Sequence, residues 1–154
     1  MLFKGDLILT KDIISLINRK FKELEQNLIY LKQVSYDITK ENIKEDIIKY
    51  WGIERGIQIC IEIILDIANI IISYSDCHRP STYRETILGL SQLGVIPNSF
   101  AKELAKMVGF RNILVHDYVK VDEDIIVDIL SNRLEDFIKY MDYINNWIKE
   151  NYDK

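Results

Sequence analysis

Cysteine is almost missing from this chain. Two thiols in 154 residues, Cys60 and Cys77, are too few for a disulfide framework, and neither belongs to a paired-cysteine metal motif. Cys77 is followed by His78, but two adjacent residues without further ligands read as loop, not as a metal site. Positive charge is not in surplus either. The net charge is −4, which argues against a protein that coats nucleic acid through a broad basic surface, because such binding draws most of its strength from neutralised phosphates. Any contact with nucleic acid must then be local. Unbroken apolar runs are also lacking: the greasiest stretch, Ile57 to Ile72, contains Gln58, Glu62, Asp66 and Asn69, which argues against a membrane span. Met1 to Asp6 shows neither the long apolar core nor the cleavage site of a secretory leader, so the chain reads as cytoplasmic. No strand is convincingly signalled, and there is no internal repeat or low-complexity tract.

What is present is helix. Apolar residues make up 48% of the chain, enough for one domain with a proper core. From Thr10 to about Tyr36, Ile13, Ile17, Phe21, Leu24, Leu28 and Leu31 recur at steps of three and four, the mark of an amphipathic helix. The pattern lapses from Gln33 to Lys40, where a loop is expected, and Asn42 with Glu45 three residues later predicts the start of a second helix running to about Ser73. That helix is apolar round most of its circumference, so it should be buried on several sides. Its one polar stripe, Arg55, Gln58, Glu62, Asp66 and Asn69, is either a solvated face with a charge ladder from Arg55 to Glu62 or the lining of a cleft or subunit contact. Gly52 and Gly56 would permit close helix approach on one side. Thr82 and Glu85 predict a capping box opening a short helix through Leu93, stopped by Gly94. Pro97 and Asn98 open the next segment. A last helix should begin near Asp122 or Asp124 and run to about Tyr152, burying Ile126, Ile129, Leu130, Leu134, Phe137, Tyr140, Met141, Ile144 and Ile148. The expected fold is all-α: an up-down antiparallel bundle of four main helices plus a short additional helix, one domain over residues 1–154.

Chemically capable side chains gather in one place, Arg111-Asn112-Ile113-Leu114-Val115-His116-Asp117-Tyr118. A guanidinium is shaped to grip a phosphate with two prongs, and an imidazole gives and takes protons near neutral pH. On a straight helix Arg111 and Tyr118 share a face, whereas His116 lies roughly 140° round from Arg111, so one helix cannot aim Arg111 and His116 at a single atom. It must end nearby, or a second copy of the motif must face the first. The β-branched and polar residues Val119 to Asp122 suggest that the helix stops just after Tyr118, with His116 in its last turn. There a histidine can also simply settle the helix dipole.

The spacing Arg, four residues, His, one residue, Tyr, with Asn directly after the Arg, resembles the signature of the HEPN superfamily, and closely that of HepT-like toxins. The similarity extends upstream to Glu54-Arg55-Gly56-Ile57-Gln58, Glu62 and Asp66-Ile67-Ala68, then to Pro80-Ser81-Thr82-Tyr83-Arg84 and Gly109-Phe110, covering the chain from about Lys11 to its C-terminus. The resemblance implies a metal-independent endoribonuclease toxin with no cofactor. Arg111 would hold the phosphate and its developing charge, and His116 would act as general acid or base. Asn112 would orient the ring of His116 or donate to phosphate, and Tyr118 would donate to phosphate or stack on a base. It also implies a homodimer whose two motifs meet across a two-fold axis, and a minimal nucleotidyltransferase (MNT) antitoxin that transfers AMP onto Tyr118. Asp117 is left without a role. Two other readings compete: a non-catalytic helper subunit that binds nucleotide or substrate for a minimal nucleotidyltransferase, and a purely structural dimerisation bundle, which would give His116 and Tyr118 no task.

Overall fold

A computed structural model of the chain describes residues 9–75, 78–115 and 122–152. The order of elements is α1 (Lys11–Ser35), α2 (Ile47–Ser73), α3 (Tyr83–Gln92), α4 (Asn98–Val115), α5 (Glu123–Asp128), a π turn (Ile129–Arg133) and α6 (Leu134–Tyr152). Since α5, the π turn and α6 are contiguous, four long helical runs and the short α3 make up the fold, with no strand among the described residues.

Each start has a local chemical reason. The Thr10 side chain accepts from the Ile13 N–H, which opens α1 on the expected boundary. Asn42 does not open α2. Its amide instead closes the preceding turn, accepting from the Thr39 N–H at 2.8 Å and donating to the Asp37 carbonyl at 2.7 Å. Asp46 is the residue that caps α2, taking the N–H groups of Ile48 and Lys49, so the helix starts later than the Asn42 signal suggests. The box at α3 forms on one side as expected, with the Glu85 N–H donating to Thr82 Oγ1 at 3.1 Å. Its return arm, to the Thr82 N–H, is joined by stronger bonds one residue further back, where Glu85 Oε2 accepts from both the N–H and the hydroxyl of Ser81. These bonds favour the charged carboxylate and hold its pKa below the ordinary value. Gly94, at φ 77°, supplies the left-handed residue that ends α3, and the Val95 N–H reaches back to the Leu90 carbonyl at 2.9 Å.

The centre of the molecule is α2. By length and composition it could cross a bilayer, but its apolar surface is spent inside the protein. Ile53, Ile57, Ile61, Ile64, Ile67 and Ile71 are all buried, and α1, α3, α4 and α6 all pack on this helix. From α6, Tyr140 enters the same core and donates its hydroxyl to the Ile64 carbonyl at 2.7 Å, giving a fully buried phenol the partner it needs. Of the glycine pair, only Gly56 serves close approach: a Cβ there would meet Leu31 Cδ2 of α1 at 3.0 Å, whereas nothing lies within 4 Å of a Cβ at Gly52.

Candidate functional site

Arg111 lies in the final turns of α4, on the side that faces α2. Phe110 beside it and Leu114 one turn on are buried and fix the rotation of that turn. The Arg111 guanidinium thereby enters the crevice where α2, α3 and α4 meet. Its Nη2 lies 3.5 Å from Glu62 Oε1 of α2, with both side chains about two-thirds buried or more (26% and 34% exposed). Glu62 Oε1 also accepts from Gln58 Nε2 at 3.0 Å. The other face of the guanidinium is covered by Tyr83, the first residue of α3, whose ring centroid is 5.2 Å from Cζ, well placed for a cation–π contact.

This resolves the α2 stripe into two halves. The ladder from Arg55 to Glu62 does not form. Arg55 is exposed and has no ion pair among the described residues, while Glu62 is claimed by Arg111 from another helix. Asp66, one turn on, is paired with Lys20 of α1 at 3.3 Å. The inner half of the stripe therefore lines a crevice, and Arg55 and Asn69 remain on solvated faces.

One donor of Arg111 is left over. Its Nε is buried and has no hydrogen-bond partner among the described residues. An unpaired buried N–H costs on the order of 1 to 3 kcal/mol, a cost the fold carries in holding the guanidinium between Glu62 and Tyr83. Asn112 is exposed beside it. His116 and Tyr118, and Asp117 between them, lie outside the described residues. Spacing marks Arg111 and Asn112 but offers Glu62 only a ladder to Arg55, leaves Gln58 without a partner and makes Tyr83 no more than a landmark. Their joint role depends on three helices meeting, which no spacing within one helix reports.

The fold is thus an all-α bundle that holds a guanidinium between a carboxylate and an aromatic ring where three helices meet. The model of the family described as ribonuclease HepT-like matches residues 24–144, and the chain belongs to this family. It is 33% identical over 140 residues to the mRNA nuclease HepT of Shewanella oneidensis, spanning 91% of this chain and 97% of that protein. It is 27% identical over 95 residues to the tRNA nuclease HepT of Aphanizomenon flos-aquae, spanning 62% and 65% respectively. Among solved structures, the tri-AMPylated HEPN toxin of Shewanella oneidensis in complex with its MNT antitoxin superposes with a TM-score of 0.77 at 31% identity, covering 89% of this chain and 99% of the toxin.

Proposed function

We propose that this chain is the ribonuclease toxin of a two-component pair, that it cuts RNA in the cytoplasm without a metal ion, and that an MNT-type nucleotidyltransferase silences it by adding AMP to Tyr118. The observation that carries the reading is the state of Arg111: held between Glu62 and Tyr83, yet with about a quarter (26%) of its side chain open to solvent. The nuclease names of its relatives and the AMPylated toxin it resembles support the same conclusion.

The chemistry follows from the residue types. The ribose 2′-oxygen attacks the adjacent phosphorus as the bond from phosphorus to the 5′-oxygen breaks, leaving a 2′,3′-cyclic phosphate and a 5′-hydroxyl. The proton lost from the 2′-hydroxyl must be taken up and another delivered to the departing oxygen, and an imidazole such as His116 can perform either transfer, worth roughly 10² to 10⁴-fold in rate. Arg111 offsets the charge on the non-bridging oxygens, with Asn112 and Tyr118 as further donors. Two copies of the chain about a two-fold axis would bring a second Arg111 and His116 to the same groove. Exposed apolar side chains support such an assembly: Ile113 follows Asn112 on α4, and Ile48 and Trp51 stand on the outer face of α2. AMP on Tyr118 would add a phosphate charge and an adenine where RNA must sit.

The test is a cleavage assay on purified protein with end-group analysis. The wild-type chain should yield cyclic phosphate and 5′-hydroxyl ends, and His116→Ala should abolish cleavage while keeping helical content and dimer size. Coexpression with the nucleotidyltransferase should add the mass of AMP, and Tyr118→Phe should block that addition. An unmodified wild-type dimer that leaves RNA intact overturns the proposal.

A further inference from the structure

Away from Arg111, one groove stands out by its charge. It runs between the N-terminal half of α1 and the end of α6, with a volume of about 600 Å³, and its lining carries Lys11, Arg19, Lys22 and Lys149 but no carboxylate. None of these four cations is in an ion pair among the described residues; other unpaired cations, such as Arg55, Lys102 and Lys139, lie elsewhere, and what sets these four apart is that they line one groove. In a chain of net charge −4, four cations grouped without a counter-ion are a local surplus of the kind a polyanion requires. Ile148 and Tyr152 also line it, giving an apolar surface and a ring on which a base can stack.

The groove also borders a hollow that reaches the partner of Arg111. Lys22 lines it and also lines a second hollow between α1 and α2, of about 590 Å³, which reaches Glu62. Of the three carboxylates in that second hollow, Asp66 is neutralised by Lys20 and Glu62 by Arg111, which leaves Glu23, next to Lys22 in the chain, as the one without an ion pair among the described residues. From Lys11 to Lys22 the helix rises roughly 16 Å, long enough to track several nucleotides.

We infer that the groove between α1 and α6 is a second binding site, for the phosphate backbone of single-stranded RNA, and that the strand passes over Lys22 towards Arg111. The inference rests on the reading of this chain as a ribonuclease, since it takes RNA as the polyanion. The groove holds the strand through charge, without reading its sequence, and so lengthens the footprint beyond the scissile linkage.

The experiment measures binding of a fluorescent 2′-O-methyl oligouridylate, which lacks the attacking hydroxyl and cannot be cut, across a salt series. The triple variant Lys11→Gln/Arg19→Gln/Lys22→Gln should flatten the slope of log affinity against log salt by about 2, at ~0.7 for each lost contact to a single strand. The control Lys102→Gln/Lys139→Gln, which neutralises exposed lysines outside the groove, should keep the wild-type slope. Circular dichroism confirms that both variants are folded. Equal slopes in the two variants overturn the groove, as does a wild-type chain that does not bind the oligonucleotide. A triple variant that keeps its slope but loses the nucleotidyltransferase makes this a protein-docking face and overturns the proposal as well. Cleavage of the unmodified oligonucleotide by wild type is scored separately: binding with the expected slopes but no cleavage supports the groove while removing the nuclease reading.

Discussion

Replacing Glu62 tests whether Arg111 works because of where it is held. At 3.5 Å and an effective dielectric of about 20, the bare attraction between the two charges is roughly 5 kcal/mol. Desolvation and the partial exposure of both groups cancel most of it, and exposed pairs contribute about 0.2 to 1 kcal/mol, so Glu62→Ala should lower stability by about 1 kcal/mol at most. The effect on catalysis should be larger, because a displacement of about 1 Å in a charge-stabilising group can cost on the order of 10²-fold. Glu62→Ala is therefore expected to reduce kcat for cleavage of a short RNA by about 10²-fold, with a smaller change in KM. Glu62→Gln, which keeps the size and an acceptor oxygen, should recover a substantial part of that loss. Because Glu62 acts through the guanidinium, Glu62→Ala/Arg111→Ala should be no slower than Arg111→Ala alone. Thermal unfolding of each variant separates loss of fold from loss of position. The reasoning fails if Glu62→Ala cleaves as fast as wild type, or faster, while Arg111→Ala is inactive, since Glu62 would then be idle or in competition with the phosphate.

Three other outcomes follow from the packing. Gly52→Ala, with nothing within 4 Å of the new Cβ, should gain about 0.5 to 1 kcal/mol from helix propensity, whereas Gly56→Val, driven against Leu31, should lose about 1 to 3 kcal/mol through overpacking; denaturant midpoints of the two would show the opposite signs. Tyr140→Phe removes the buried bond to the Ile64 carbonyl and should cost about 1 kcal/mol, a fall of roughly 2 to 4 °C in Tm for a chain of this size. Burial pushes the Cys60 thiol up to about 12. The fold thus favours the neutral thiol: this contribution is intact below the unfolded thiol's pKa and is lost as pH rises through the folded value, so native protein at pH 8 should leave Cys60 unmodified by a thiol reagent that labels it in urea.

Much of the scaffold could be read from spacing because burial in a helix repeats. The apolar positions expected of α1 are the ones buried there, and those expected from Ile126 to Ile148 are buried too, with Trp147 joining them. Misreadings occurred where side chains bond across a turn. Asn42 has the right identity to cap a helix but spends its amide on Asp37 and Thr39, and Glu85, although it closes the box with Thr82, bonds more strongly to Ser81. The same limit governs the site. Arg111 was legible from the motif, but the partnership of Glu62, Gln58 and Tyr83 exists only after three helices dock, and a polar stripe looks alike whether water or a guanidinium lies opposite.

The π turn at Ile129–Arg133 was invisible for a related reason: Leu130 and Leu134 are four apart, as in any α-helix, although the backbone between them is wound more loosely. Arg133 clips this loop of extra backbone to Glu103 of α4 and to Asp128 and Asp136 beside it, at 3.6 to 3.7 Å. One wide turn absorbs a surplus residue locally, so the inward faces of α5 and α6 stay aligned on the same core. A homologue that is one residue shorter here can therefore close the helix into ordinary winding and keep the same interior, which makes this turn the place where the last helix can change length over evolutionary time without being rebuilt.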